Sequence, residues 1–343
     1  MPVVNGTFSA STLQTVQMSI DNEMLKGSVN RLYNNYSPKT FEALRANQMA
    51  KVKVIENPAK DQDVKIVWFE QVEGAVAESC VTDCDFTGTG GGTDSQTNSL
   101  DACYSTKFQT NSKRQRTNEI DEVTEYAQLF LQNDYYMAKR MNTLAIAFLE
   151  ANIGTSVFEP ASTDSTADGI AVYTAAFDKT LISKMVRSIE MNNLINPVHI
   201  TGGTFWDIYF NARHEFKNDS GKDKKSLFDE LLWYWDLKGL GSDTDQPIYQ
   251  VSPLAYAFAT KVNDTFPKGA PRFVAENIWN YSIESRFMPG VFYQVKENRT
   301  CLDAEHVVTD VALELKAKFF LNPKSVNDAN NTGIIKWYEH PTS

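Results

Sequence analysis

Hydrophobic residues recur at alternating steps of three and four along residues 118–152, which is the spacing of one face of an α-helix. The pattern predicts a single helix about 34 residues long, or roughly 50 Å at ~1.5 Å per residue. Asp134 alone breaks the stripe, and we expect it to be exposed or paired with a cation such as Lys139 or Arg140, because an unpaired buried charge is costly. The stripe consists of Ile120, Val123, Ala127, Phe130, Met137, Met141, Leu144, Phe148 and Ala151.

Polar residues mark both ends of this predicted helix. Thr117 or Asn118 can cap its first turn, and Gly154 is placed to end it. Acidic residues that suit the positive end of the helix dipole follow the caps, at Glu119, Asp121 and Glu122. An element of this length suits a building block that extends across its neighbours better than it suits an enzyme domain.

The region before the helix, residues 51–116, is predicted to form a long hairpin. Residues 79–98 are its least structured part, with a glycine-rich centre at 87–93 that is flexible by composition. Alternating apolar and polar residues predict its strands at 51–57, 63–70 and 102–110. We expect the whole unit to project from the body of the protein.

Shorter patterns predict the remaining elements. Residues 1–10 form an extended arm, and helical spacing follows in residues 11–33. Val307–Phe320 alternates as a strand would, although its composition also permits a helix. Further helices are predicted at 177–194 and 204–216, and further strands at Pro197–Thr201, Ile248–Val251, Arg272–Val274, Gly290–Gln294 and Gly333–Tyr338.

The bulk composition narrows the class of protein. The chain has 343 residues, of which 42% are hydrophobic, so it can build a substantial core. A net charge of −10 repels nucleic acid unless basic residues are segregated. The first residues lack the basic and apolar regions of a signal peptide, and no apolar run approaches the ~18 residues of a membrane span. We therefore expect a protein made and kept inside a cell, or assembled there into something that leaves it.

Three of the four cysteines, Cys80, Cys84 and Cys103, fall within the predicted hairpin, and Cys301 lies apart. Three thiols with one further ligand can hold zinc, but this segment has no C-x-x-C pair and no nearby histidine. An intracellular origin argues against a stable disulfide. A metal site, a disulfide and free thiols all stay open, and free thiols are favoured.

The other candidate residues do not form a catalytic or cofactor motif. The glycines at 88 and 90–92 lack the G-x-G-x-x-G spacing. His199 lies in an apolar strand, which favours a hydrogen-bonded core residue, and none of the other histidines, His214, His306 and His340, forms a paired motif with it. The aromatic run Trp233, Tyr234 and Trp235 favours core packing or a subunit contact over substrate stacking. We predict no catalytic, cofactor or metal residues.

Lys113, Arg114 and Arg116 form the strongest basic cluster. Cations near a helix start are unfavourable for the dipole, so we expect an acidic surface, such as that of a neighbouring subunit, to compensate them. Three cations without interleaved aromatic residues do not indicate a nucleic-acid site.

The order of these elements resembles the major capsid protein of tailed bacteriophages, which has the HK97-type fold. In that family an N-terminal arm precedes a two-stranded extended loop, a spine helix in a peripheral domain, a mixed axial domain and strands that return to the periphery. The resemblance implies an α+β fold. The corresponding parts are the arm and its helix at 1–50, the extended loop at 51–116, the peripheral domain at 117–194, the axial domain at 195–300 and the return strands at 301–343.

The resemblance also implies a function. It predicts a structural subunit of an icosahedral phage capsid that self-assembles into pentamers and hexamers and encloses double-stranded DNA without binding it specifically. Scaffolding, portal and decoration proteins are the expected partners, and the expected location is the virion after assembly in the host bacterial cytoplasm. Encapsulins share this fold, although their extended loop is typically shorter, so the resemblance leaves an encapsulin-like compartment shell protein as an alternative.

The residues themselves leave two other classes open. One is an intracellular α+β enzyme, such as a hydrolase, that uses Asp207, His199 or His214 for catalysis and Trp233 and Trp235 for substrate binding. The other is a binding module without catalytic activity.

Overall fold

The structure of the protein, a computed structural model, describes the main body of the chain with gaps. The described residues are 18–22, 36–54, 63–69, 93–154, 165–167, 170–173, 180–192, 194–203, 205–206, 209, 231–240, 247–261, 272–275, 278–303, 306–323 and 332–339. Residues 18–22 are helical, and the longer helices are α1 Lys39–Asn47, α2 Ser112–Asn118, α3 Glu122–Ala151 and α4 Thr180–Met191. The predicted arm at residues 1–10 and nearly all of the predicted helix at 204–216 lie outside the described residues.

Strands supply the rest of the described structure. They are β1 Lys51–Val54, β2 Asp63–Phe69, β3 Thr93–Ser99, β4 Cys103–Asn111, β5 Ser165–Ala167, β6 Ile170–Tyr173, β7 Val198–Thr201, β8 Leu232–Trp235, β9 Ile248–Val251, β10 Tyr256–Lys261, β11 Arg272–Ala275, β12 Ile278–Glu284, β13 Phe292–Asp303, β14 His306–Leu321 and β15 Ile334–Glu339. The ambiguous segment Val307–Phe320 is therefore a strand.

The predicted long helix is present as α3, which contains 30 residues. It begins later than predicted because Asp121 caps it, accepting a hydrogen bond from the Thr124 amide at 2.9 Å. Thr117 and Asn118, the predicted caps, instead lie at the end of α2. The chain turns between the two helices at Glu119, which has a left-handed φ of 54°.

The main sheet lies against α3. Its strand order is β10-β14-β13-β12-β11, and β4 pairs with the N-terminal half of β14. Burial alternates along β14, because one face of the strand packs on the core and the other does not. The predicted stripe of α3 supplies much of the opposing surface, and its buried members are Ala127, Phe130, Met137 and Met141.

The predicted hairpin at 51–116 divides between two sheets. β1 and β2 pair antiparallel as predicted, and their third strand is β3, which lies in the segment predicted to be least structured. β4 is a strand as predicted, but it pairs with β14 rather than with β2. It belongs to the main sheet because Phe108 packs edge-on against Tyr126 of α3, with ring centroids 5.3 Å apart. Residues 70–92, which hold the glycine-rich centre, lie outside the described residues.

The β1–β3 sheet rests on the body through a small core of its own. Val64, Ile66 and Trp68 of β2 are buried together with Ala257 and Ala259 of β10. The base of the predicted projection is therefore packed on the main sheet rather than free of it.

A second mixed sheet packs against α4, with the strand order β5-β6-β15-β9-β7-β8. Its β7–β8 and β15–β6 pairs are parallel, and its β7–β9 and β15–β9 pairs are antiparallel. Leu181, Ile182 and Met185 of α4 are buried against it, as the predicted helix at 177–194 requires. The predicted division at residue 300 falls inside β13, because that strand continues through Asp303 in the main sheet.

Candidate functional site

A buried carboxylate, Asp134, joins α3 to a turn of the main sheet. It is 0% exposed and accepts hydrogen bonds from Ser285 Oγ, Tyr293 OH and the Arg286 amide, each at 2.6 Å. Burial raises the pKa of Asp134, and these hydrogen bonds oppose that rise. The contacts fasten the 285–288 turn to the middle of the helix.

The prediction for Asp134 was therefore wrong in both forms. The residue is not exposed, and its partners are hydroxyl and amide donors rather than Lys139 or Arg140. Those two cations lie on the exposed side of α3. Hydrogen bonds from donors in the 285–293 region offset the free-energy cost of burying the carboxylate. An ion pair was expected to offset that cost.

A second buried carboxylate, Asp236, joins three elements just after β8. Its Oδ2 accepts from Thr40 Oγ1 of α1 and from Asn142 Nδ2 of α3, both at 2.6 Å. Its Oδ1 accepts from the Gly239 amide at 2.7 Å. Asn142 also accepts from the Phe41 amide at 3.0 Å, so the start of α1 is held by both residues.

A third buried carboxylate, Glu297 of β13, lies where α3 begins to pack on the sheet. It is 3% exposed, and Tyr281 OH donates to its Oε1 at 2.5 Å. Tyr126 OH of α3 lies 2.6 Å from the Tyr281 oxygen, which completes a chain from helix to sheet. Burial raises the pKa of Glu297 to about 7. A cavity of about 580 Å³, lined in part by Phe108, Glu297 and Val311, lies beside it.

His199 of β7 is a hydrogen-bonded core residue, as predicted. Its Nε2 lies 3.2 Å from Gln250 Nε2, and its ring lies 4.8 Å from the ring of Trp233. Burial lowers the pKa of His199 to about 4, so the ring is neutral at neutral pH. Asp207 and His214, the other catalytic candidates of the enzyme alternative, lie outside the described residues.

The aromatic run forms β8 at an edge of the second sheet. Trp233 and Trp235 stack with ring centroids 5.5 Å apart, and Phe205 stacks on Trp233 at 5.4 Å. These rings pack into the core around α4, which confirms the packing role predicted for them. Trp206 and Leu232 at the margin of the cluster are exposed.

A groove of about 720 Å³ begins at the same edge. Leu232, 45% exposed, forms part of its wall together with Met49, Val186, Leu194 and Pro253. Asn47, Glu190 and Asn196 also line the groove, so its surface is a mixture of apolar and polar side chains.

The basic cluster lies on α2, and its central member is compensated within the chain. Arg114 Nε donates to Glu125 Oε1 of α3 at 2.6 Å, and Gln115 Nε2 donates to Glu125 Oε2 at 2.7 Å. The expectation that a neighbouring subunit supplies this acidic partner is therefore wrong for Arg114. The first turn of α3 supplies it, because α2 folds back beside that turn.

Among the cysteines, Cys103 and Cys301 are exposed free thiols. Cys80 and Cys84 lie outside the described residues, so for these two the three alternatives stay predictions. In the described part of the chain, no group of three or more histidine, cysteine, aspartate or glutamate side chains is arranged to hold a metal ion. No helix within the described ranges is both long and apolar enough to cross a membrane.

Comparison with known proteins gives structural matches only. No protein-family model and no curated protein sequence matches the chain. The structure titled "Cyanophage A-1(L) capsid asymmetric unit" matches with a TM-score of 0.51 at 12% identity, covering 92% of this chain and 96% of that chain. "Mycobacterium phage Adephagia" matches with a TM-score of 0.44 at 8% identity, covering 90% and 92% of the two chains. "Capsid structure of the Cyanophage P-SCSP1u" matches at 0.42 and 10% identity, covering 84% and 85%.

The cyanophage A-1(L) match shows the fold of this chain. The two chains share an arrangement of helices and sheets over nearly their whole lengths although few residues are identical. The predicted α+β fold of the HK97-like capsid type is thereby confirmed.

Proposed function

We propose that this chain is the structural subunit of an icosahedral phage capsid, and that its role is assembly rather than catalysis. One observation carries the proposal, namely the fold shared with the cyanophage A-1(L) capsid structure across 92% of this chain and 96% of that one. A catalytic domain that merely contained a similar core would leave much of one chain unmatched.

In this proposal, subunits form pentamers and hexamers, and these capsomers close into a shell around double-stranded DNA. The contacts within a ring are heterologous, so each subunit presents one surface to the next and a different surface to the previous one. Scaffolding, portal and decoration proteins are the proposed partners. The shell assembles in the host bacterial cytoplasm and ends in the virion. A net charge of −10 suits a shell that encloses DNA without adhering to it.

We also propose an assignment of domains. The main sheet and α3 form the peripheral domain, with α3 as its spine helix. The second sheet and α4 form the axial domain. This division moves β10–β13 out of the axial domain predicted at 195–300, because those strands belong to the same sheet as β14. Residues 51–99 are the proposed extended loop, and residues 1–50 contain the arm. Of the return strands predicted at 301–343, β14 lies in the proposed peripheral domain and β15 lies in the proposed axial domain.

Sedimentation and electron microscopy of the purified chain test the function. We expect rings of five or six subunits, or closed shells, because each subunit carries complementary surfaces. Circular dichroism confirms that the sample is folded. A folded chain that stays monomeric or dimeric at high concentration would contradict the proposal.

A further inference from the structure

Among the described residues, Ile20 and Asp21 connect residues 18–22 to the main body. Ile20 is fully buried and belongs to the main core. The Asp21 carboxylate lies 3.0 Å from the guanidinium Nε of Arg286. Met18, in the same segment, is 65% exposed, so the segment is held by one side only.

On the main body, Arg286 belongs to a turn that buried hydrogen bonds hold in place. The Arg286 amide and Ser285 Oγ both donate to Asp134, which is fully buried. Within the turn, the Met288 amide donates to Ser285 Oγ at 3.0 Å, and the Ser285 amide donates to the Val291 carbonyl at 2.8 Å. Moving this turn would leave a buried carboxylate without two of its three donors, which is a large cost.

Residues 18–22 are held much less firmly than the turn that they contact. The Asp21 side chain is half exposed, and an ion pair with an exposed partner stabilises little and is screened by salt. Burial of Ile20 is the main contribution, and ordering the backbone of the segment opposes it. When the contact breaks, residues 18–22 therefore leave and the Arg286 turn stays in place.

We propose that residues 18–22 form a detachable strap, closed on the subunit by Ile20 and by the Asp21–Arg286 pair, which opens without unfolding the body. Opening uncovers the part of the main core that Ile20 covers. The inference rests on contacts within one subunit and holds whether or not the chain assembles into a shell.

Hydrogen exchange of the full chain, read by mass spectrometry, tests the strap. Three regions are compared, namely peptides covering residues 18–22, the 285–291 turn and the middle of α3. In Arg286→Ala the backbone amide that binds Asp134 is retained, so we expect exchange at 18–22 to rise roughly two- to fivefold, as loss of a partly exposed ion pair implies. Ile20→Ala should raise it roughly 30-fold or more. Neither change should alter exchange in the turn or in α3.

Two further variants separate the strap from nonspecific effects. Arg140→Ala removes an exposed cation of α3 and serves as the control, with exchange at 18–22 unchanged. The double variant Asp21→Arg with Arg286→Asp reverses the pair and should restore most of the protection lost in Arg286→Ala. The proposal is overturned if residues 18–22 exchange only together with the body. It is equally overturned if Arg286→Ala exposes the turn as much as the strap, or if the reversed pair restores nothing.

Discussion

Replacing Glu297 by Gln should stabilise the subunit at pH 8 and leave its stability almost unchanged at pH 4. Glu297 is buried between β13 and α3, where Tyr281 OH donates to it. A glutamine keeps a carbonyl oxygen for that hydrogen bond and has nearly the same volume. The substitution therefore removes the titration of the group with little change in packing.

The size of the effect follows from the two protonation equilibria. Burial raises the pKa of Glu297 from an ordinary value of 4.5 to about 7. The folded state binds the proton more tightly than the unfolded state, so this contribution to stability is complete below pH 4.5 and is lost as pH rises to 7. At ~1.4 kcal/mol per pH unit, the loss reaches about 3 kcal/mol. The variant lacks this carboxyl and therefore lacks this loss.

Because His199 also changes the stability over this pH range, the effect of Glu297 must be measured as the difference in stability between the variant and the native chain. Burial lowers the pKa of His199 to about 4, so its contribution is present above pH 6.5 and is lost as pH falls toward 4. The contribution of His199 to stability changes in the opposite direction to that of Glu297 over much of the same pH range. The curve of stability against pH for the native chain therefore shows only the sum of the two contributions. Subtracting the native curve from that of the Glu297→Gln variant cancels His199.

Urea unfolding of the isolated subunit at intervals from pH 4 to pH 8 gives both curves. The stability of Glu297→Gln minus that of the native chain should increase by about 3 kcal/mol across the range. Glu190→Gln, at an exposed glutamate of α4, is the control and should give a flat difference. A flat or falling difference for Glu297→Gln would show that its carboxyl is not destabilised by burial, and the reasoning would fail.

Three further changes test the other buried polar residues. Asp134→Leu removes the acceptor of three buried hydrogen bonds and should lower the free energy of unfolding by about 3 kcal/mol or more, measured by urea unfolding; a stabilised variant would contradict the geometry. His199→Gln should abolish the loss of stability between pH 6.5 and 4 that burial of the imidazole causes, worth about 3 kcal/mol, and a variant as acid-sensitive as the native chain would rule that cause out. Asp236→Ala removes the shared acceptor of Thr40 and Asn142, so exchange in α1 should rise well before the rest of the body opens, whereas unchanged protection of α1 would show that Asp236 does not hold it.

The elements that sequence predicted well are those whose pattern is local. The spacing of apolar residues located α3, and the sequence also located α4, β7 and β9. The segment that became β14 stayed ambiguous because its composition suits either structure. Pairing with β13, β10 and β4 decides the matter, and those partners cannot be identified from β14 alone. For the same reason β4 was given the wrong partner, since its own alternation does not say which strand it joins.

The polar contacts were harder to predict because their partners are distant in sequence. Asp134 lies about 150 residues from its donors, and Asp236 lies 196 residues from Thr40. A local signal did exist for Glu297, since Tyr293, Val295 and Glu297 alternate along one buried face of β13. Extending the predicted strand at 290–294 by three residues would have predicted that the Glu297 carboxylate is buried. No comparable pattern marks Asp236.

The buried carboxylates of Asp134, Asp236 and Glu297 share one consequence for α3. The helix meets these carboxylates at three positions, eight residues or ~12 Å apart along its axis. Asp134 is itself one of the carboxylates, Tyr126 is linked to Glu297 through Tyr281, and Asn142 donates to Asp236. Apolar packing is not directional, so a stripe of this length tolerates axial slip at modest cost. Hydrogen bonds to fixed buried partners do not tolerate axial slip, because a shift of one turn, ~5.4 Å, would break all of them at once. The apolar stripe therefore explains why α3 is buried, and the polar anchors explain why it is buried in a single register.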